Sequence, residues 1–239
     1  PTQPIPSKPA PFDRQGLTDD DLIDFTPEVH RLAQEALSNY DFGPIYTPAT
    51  MRGVIQVPGL VGGASWAGAA VDPTAGIIYI PSYTNPAILT IKEAKEGSPF
   101  AYTSSYAWGP SGPDGLPILK PPYGRITAID LNTGDHLWMV PNGDTPDCVK
   151  NHPALEGLEL APTGKAERGG LLVTKTLVFA GEGSGLFAAP RDTGGPMFRA
   201  HDKLTGEVVA EFELPAHQTG LPMTYLQDGR QFIVVAVGA

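Results

Sequence analysis

The sequence has one cysteine, Cys148, in 239 residues. A lone thiol excludes a disulfide within the chain and a cysteine-based metal cluster. Charge is also scarce: Asp, Glu, Lys and Arg make up 18% of the chain, against about 25% in an average soluble domain. The basic share is the smaller, 16 Lys and Arg against 26 Asp and Glu, for a formal net charge of −10. So acidic a chain has no electrostatic grip on a phosphate backbone, and no nucleic acid is expected as a partner. No apolar run approaches the ~18–20 residues of a membrane-spanning helix. The chain opens on a Pro-rich stretch ending at Phe12, without Met, a basic segment or an apolar signal core. It stops just after the apolar run Phe232–Val237. Both ends read as cuts in a longer protein. G-x-S-x-G, P-loop and C-x-x-C motifs are missing too. The five histidines, His30, His136, His152, His201 and His217, do not pair at metal-ligand spacing.

Glycine and proline, by contrast, are abundant, at 28 and 26 residues, and hydrophobic residues reach 41%. Gly and Pro are dispersed among short apolar runs, where they punctuate turns. This texture predicts an all-β fold of the sandwich, barrel or propeller kind. Residues 1–43 are the exception. A Pro-rich extended stretch is followed by Thr18 with Asp19, Asp20 and Asp21, a helix-start signal. Thr26-Pro27-Glu28 repeats that signal with Pro at the first helical position. Val29, Leu32, Ala33, Ala36 and Leu37 then share one helical face. From residue 44 to 239 strand-like runs take over, among them 53–57, 76–80, 87–91, 125–129, 171–173, 177–180, 207–212 and 232–237. Asp228-Gly229 between two runs predicts a two-residue hairpin turn. Residues 92–123 show little pattern and read as a long insertion between strands.

One motif recurs. Ala128, Asp130, Thr133, Gly134 and Trp138 fit A-x-D-x-x-T-G-x-x-x-W completely. Ala200, Asp202, Thr205 and Gly206 fit it up to Ala210, which stands in the Trp position. Ala70, Asp72 and Gly76 form a partial third copy. The chemistry is intelligible: a strand ends on a small residue, and Asp and Thr oxygens bind turn N–H groups. Gly supplies the unusual φ, and the following strand carries an aromatic that docks on a neighbouring unit. Recurring units of this kind mean a propeller or solenoid.

These residues resemble the tryptophan-docking motif of PQQ-dependent (quinoprotein) dehydrogenases, particularly the membrane-bound glucose dehydrogenase branch. Further stretches share the resemblance in order. They are Pro58-Gly59 through Trp66 to Asp72-Pro73, Arg168-Gly169-Gly170 through Leu177 to Gly181, and Pro222-Met223-Thr224-Tyr225 with Gly229 and Gln231. The resemblance implies part of an eight-bladed β-propeller with four-stranded antiparallel blades, plus one short N-terminal helical segment. It implies pyrroloquinoline quinone (PQQ) and Ca²⁺ in the full-length protein, and a sugar or alcohol as substrate. Ubiquinone or a cytochrome would be the electron acceptor, in the periplasm, with any membrane anchor upstream of this chain.

The resemblance also implies that the catalytic base and metal ligands lie N-terminal to these residues, so none is assigned here. Cofactor contacts carry over to Ser65 and Trp66, and to Arg168, Gly169 and Gly170. Relatives often carry Asn where this chain has Ser65, and some do where it has Leu60. Blade-core packing for Trp66, and an ordinary tight turn at Arg168–Gly170, are the plain alternatives. Among the histidines, His136 and His201 read as exposed turn neighbours and His152 as a solvated loop residue. Gly181–Gly185 leads toward another strand, not a helix, which excludes a dinucleotide-binding loop. A non-catalytic PQQ-like propeller serving as a protein scaffold is the second reading. A hydrolytic or carbohydrate-binding propeller is the third, and it lacks the paired carboxylates it would need.

Overall fold

The computed structural model describes residues 4–64, 67–184 and 194–238. The first helix signal gives only a single 3₁₀ turn, Asp19–Asp21. The chain cannot continue helically, because Leu22 bridges Leu119 and the Ile23 N–H donates to Ile118 O at 3.0 Å. The second signal gives α1 (Pro27–Leu37), capped where the Thr26 hydroxyl accepts from the Val29 N–H at 3.1 Å. Val29, Ala33 and Leu37 are its buried stripe. They pack in one cluster with Ile55, Tyr83, Leu116 and Leu119.

Sixteen strands follow among the described residues. The first eight are β1 (Val54–Gln56), β2 (Gly63–Ala64), β3 (Ala70–Asp72), β4 (Ile77–Tyr83), β5 (Ala87–Glu93), β6 (Tyr102–Trp108), β7 (Gly124–Asp130) and β8 (His136–Pro141). The rest are β9 (Leu171–Val173), β10 (Leu177–Gly181), β11 (Met197–Asp202), β12 (Val208–Glu213), β13 (His217–Gln218), β14 (Met223–Gln227), β15 (Arg230–Val234) and β16 (Val237–Gly238).

Two antiparallel sheets carry the repeat. The first runs β2-β4-β7-β8, with β3 also paired to β4. The second is the four-stranded meander β9-β10-β11-β12. These are propeller blades, and their inner faces meet. Ile77, Tyr79, Ile126 and Ala128 of the first blade pack against Leu171, Val178 and Ala180 of the second. On the far side of the second blade, Phe179 and Phe198 stack at 5.9 Å and pack with Leu214 and Val235. The short pair β13-β16 and the hairpin β14-β15 complete the chain. That hairpin closes with φ of 49° at Asp228 and 74° at Gly229, the two positive values expected of its turn.

The stretch 92–123 is more structured than its sequence suggests. It contains β6, which pairs with β5 over seven residues, and β1 completes that third sheet. All but one of the β6 side chains are exposed. With neither face buried, the strand has no reason to alternate apolar and polar residues. Leu116, Ile118 and Leu119 then return to the core beneath α1.

The three turn motifs share one geometry. Asp72, Asp130 and Asp202 each turn a carboxylate oxygen onto the N–H two residues ahead, at 3.0, 2.7 and 2.8 Å. Gly76, Gly134 and Gly206 each return their N–H to the carbonyl of that Asp at 2.7–2.9 Å. The complete copy and the copy that lacks only the Trp bulge at the same place, after Ala128 and after Ala200. The aromatic docks as the motif requires. The Trp138 indole N–H donates to Lys203 O at 3.1 Å, and the ring lies over Gly206. Tyr79 stands beside it at 5.7 Å and donates its hydroxyl to the same carbonyl. The Lys203 ammonium reaches back to Asp72 of the first blade and holds that carboxyl below its usual range.

The N-terminal stretch lies along the first blade. Lys8 pairs with Asp135 at 2.7 Å, Ala10 O meets His136 Nε2 at 2.8 Å, and Asp13 pairs with the buried Arg125. Two histidine expectations need correction. His201 is buried, because the bulge turns its Nδ1 onto Gly206 O at 2.9 Å. His152 is buried too, and its Nδ1 accepts the Ala154 N–H at 3.2 Å to cap a short 3₁₀ turn.

Two predictions follow from the docked turn. A Cβ at Gly206 would sit 2.8 Å from Trp138 Cε3 at φ +79°, whereas Gly229, at φ +74°, has nothing within 4 Å. Gly206→Ala therefore costs the strain of both, about 2–3 kcal/mol, and Gly229→Ala about 1 kcal/mol; unfolding midpoints of the two variants compare them. In His201, Nδ1 carries the proton of the neutral ring, and burial pushes the ring pKa below its ordinary 6.5. The unfolded ring protonates first as pH falls, so stability drops from pH ~6.5 down toward the folded pKa. His201→Gln should flatten that slope in thermal unfolding measured between pH 7.5 and 5.5.

Candidate functional site

The candidate residues come from two places that are distant in sequence. Ser65 and Trp66 lie outside the described residues. The strand that leads into them, β2, is described: Gly63 pairs with Tyr83 and Ala64 with Ser82 at the end of β4. Arg168, Gly169 and Gly170 lie in the loop that leads into β9 of the next blade. The Arg168 guanidinium turns across the blade boundary, and its Nε donates to the Tyr83 hydroxyl at 3.0 Å. Tyr83 therefore touches both segments, through its backbone on one side and its phenol on the other. Tyr83 is 1% exposed. Burial raises its pKa, and the Arg168 charge only partly opposes that, so the phenol stays neutral.

The loop takes this course because both neighbouring blades hold it. The Tyr123 N–H donates to Thr163 O at 2.8 Å, and the Lys165 N–H to Asn142 O at 2.9 Å. The Glu167 carboxylate accepts the Arg168 N–H at 2.7 Å. Gly169 and Gly170 are buried. A Cβ at Gly169 would meet Gly181 O at 2.7 Å, and one at Gly170 would meet Leu221 Cδ2 at 2.6 Å. Their lack of a side chain thus serves packing against this chain's own strands. Gln218 ties the loop down from the other side, its amide donating to Gly170 O at 3.0 Å. Arg168 itself is half-buried in this loop.

Sequence reasoning missed the charged cluster behind this rim. Glu182 is 1% exposed, yet its carboxylate accepts from Lys165 at 2.6 Å, Arg199 at 2.6 Å and the Asp144 N–H at 3.2 Å. Arg199 also pairs with Glu211 at 2.6 Å. Burial works against the Arg199 charge, but the two carboxylates outweigh it and raise its pKa. The available signals were an acid directly after the apolar run of β10 and an Arg inside the otherwise uncharged start of β11. Glu182 anchors Lys165, three residues before Arg168. Among the described residues, no group of three or more His, Cys, Asp or Glu side chains could hold a metal ion. The chemistry on offer here is recognition of an anion by a guanidinium, with the surrounding backbone held rigid.

Comparison with known proteins matches this architecture. The family model for PQQ, described as the glucose/ethanol/alcohol dehydrogenase β-propeller domain, covers residues 1–233. The chain is 27% identical to the probable quinate dehydrogenase (quinone) of Xanthomonas campestris pv. juglandis, over 100% of this chain and 31% of that protein. It is also 27% identical to quinoprotein glucose dehydrogenase A of Acinetobacter calcoaceticus, over 96% of this chain and 29% of that protein. The solved quinohemoprotein alcohol dehydrogenase of Comamonas testosteroni aligns with a TM-score of 0.48 at 23% identity, over 77% of this chain and 23% of that one. The chain thus spans under a third of the length of these curated relatives. Among the described residues, no helix is long and apolar enough to cross a membrane.

The buried cluster yields its own prediction. Glu182→Gln keeps the shape and removes the charge, leaving Lys165 and Arg199 under-compensated. Unfolding experiments should show a loss of about 3 kcal/mol. Glu211→Gln removes a half-exposed partner of the same Arg199 and should cost under about 1 kcal/mol.

Proposed function

The chain belongs to the PQQ β-propeller family of glucose, ethanol and alcohol dehydrogenases, and on that premise we propose that it supplies blades and one edge of the PQQ cradle of a full-length dehydrogenase. That enzyme oxidises a sugar or alcohol hydroxyl by hydride transfer to PQQ and passes the electrons to ubiquinone or a cytochrome. The observation that carries this reading is the meeting of the β2 end and Arg168 at Tyr83.

The residues present suit one edge of the cofactor. PQQ is a planar ring system carrying carboxylates, and a guanidinium offers paired donors to a carboxylate. Of the described candidates, Arg168 is the one that would border it. When bound, the quinone supplies a two-electron acceptor that no side chain offers. The work of this chain is to bind and orient. Glu167, Gln218 and the Glu182 cluster hold the loop, and Arg168 presents positive charge at its rim. On the family resemblance, a Ca²⁺ ligand set and a carboxylate base would belong to the rest of the full-length protein. The same remainder would cover the exposed apolar side chains of the closing hairpin, among them Leu226, Phe232 and Val234. A periplasmic location fits this reading, with any membrane anchor outside this chain.

The test is PQQ uptake by the full-length protein. Arg168→Ala should raise the PQQ dissociation constant about tenfold or more, equivalent to about 1.4 kcal/mol. Dye reduction with aldoses, polyols and primary alcohols then identifies the substrate class. A folded full-length protein that takes up no PQQ would overturn the reading in favour of a propeller scaffold.

A further inference from the structure

We infer that an ordered water molecule is a structural part of the first blade, bound between Asp13 Oδ2 and the hydroxyls of Ser82 and Thr127. The inference does not depend on the cofactor assignment. Ser82 pairs with Arg125 and Ile80 with Thr127, so Ser82, Arg125 and Thr127 share one face of the blade. The N-terminal stretch covers that face. The Arg125 guanidinium donates to Phe12 O at 3.0 Å, to Pro122 O at 2.9 Å and to the Thr84 hydroxyl at 2.8 Å, and it pairs with Asp13. Arg125 stands opposite Ser82 and two residues from Thr127, which brings Asp13 to the same place. One Asp13 oxygen is fully engaged: Oδ1 accepts the Arg14 N–H and the Thr84 hydroxyl, both at 2.7 Å, besides its contact with Arg125. The other, Oδ2, is buried and meets no donor among the described residues. The Ser82 and Thr127 hydroxyls are likewise buried without a protein partner, on residues 3% and 0% exposed. Buried polar atoms left unbonded are costly, so three on one face call for a shared partner. Charge selects its identity. Asp13 and Arg125 neutralise each other, and both side chains are 3% exposed. An added ion would therefore be buried without compensation. The occupant is neutral, donates to a carboxylate oxygen and pairs with two hydroxyls. Water does this with three hydrogen bonds, its usual number in a protein interior. Through Asp13 it seats the N-terminal stretch on the blade.

Thr127→Val keeps the side-chain shape and removes the hydroxyl, and in the full-length protein the sign of its effect is the test. Removing a hydroxyl that binds water loses a hydrogen bond, whereas removing one that has no partner is neutral or stabilising. The unfolding midpoint of Thr127→Val should therefore fall. Amide exchange at Arg14, Gly16 and Leu17, whose N–H groups hold the N-terminal stretch, should quicken about fivefold, the equivalent of one hydrogen bond. Ser82→Ala should act in the same direction. A crystal structure of the full-length protein should show water density within hydrogen-bond distance of Asp13 Oδ2 and of both hydroxyls. An unchanged or raised midpoint in either variant overturns the inference. So does a metal ion, a side chain from the rest of the protein, or no density at all beside Asp13 Oδ2.

Discussion

The Lys203 carbonyl takes two hydrogen bonds from another blade, one from the Trp138 indole and one from the Tyr79 phenol. Its ammonium returns to Asp72, in the first turn of that same blade. This one residue ties the turn of the second blade to three points on the first. The contact requires a glycine at position 206, since the indole occupies the space of a side chain there. It also requires the Asp202 carboxylate to hold the turn shape. With that contact made, β11 is placed, β10 and β9 follow by pairing, and the loop carrying Arg168 has no freedom to drift from Tyr83. The course of the loop that carries Arg168 is in this sense a product of turn chemistry at a different part of the blades.

What the sequence discloses and what it conceals divide along the range of the interactions. The D-x-x-T-G turn is legible because all its hydrogen bonds close within five residues. The α1 cap and the Asp228-Gly229 hairpin are legible for the same reason. The helix-start signal at Thr18 gives only a 3₁₀ turn, and what stops it, Leu119, is almost a hundred positions away. β6 left no periodic trace because it has no buried face. His201 reads as a turn residue until a bulge turns its ring inward onto Gly206 O. Arg168 is a candidate that the sequence offers, but its contact with Tyr83 is not legible there. Nothing in the sequence joins Tyr83 to Arg168, 85 positions apart. Glu182 was hidden in a glycine-rich run, and its partners lie 17 residues away on either side.

Two buried charge pairings flank the rim. Asp13 with Arg125 fastens the N-terminal stretch to the first blade, and Glu182 with Lys165 and Arg199 fastens the loop to the second. Neither arrangement is an economical source of stability, because each charge had to leave water. Their common property is direction: a buried ion pair tolerates little displacement of either partner. Both sit where segments outside regular strands must be held against blades. Such segments have no ladder of backbone bonds to fix their register.

At Gly134 the seat that Trp138 occupies at Gly206 is filled by the Lys8 stem and Pro9, and Lys8 pairs with Asp135 there. The turn is built to receive a ring, yet a strand-free strap has taken the place. Any aromatic from a further unit would have to compete with that strap for a single socket. The strap thus holds at Gly134 the place that an indole holds at Gly206.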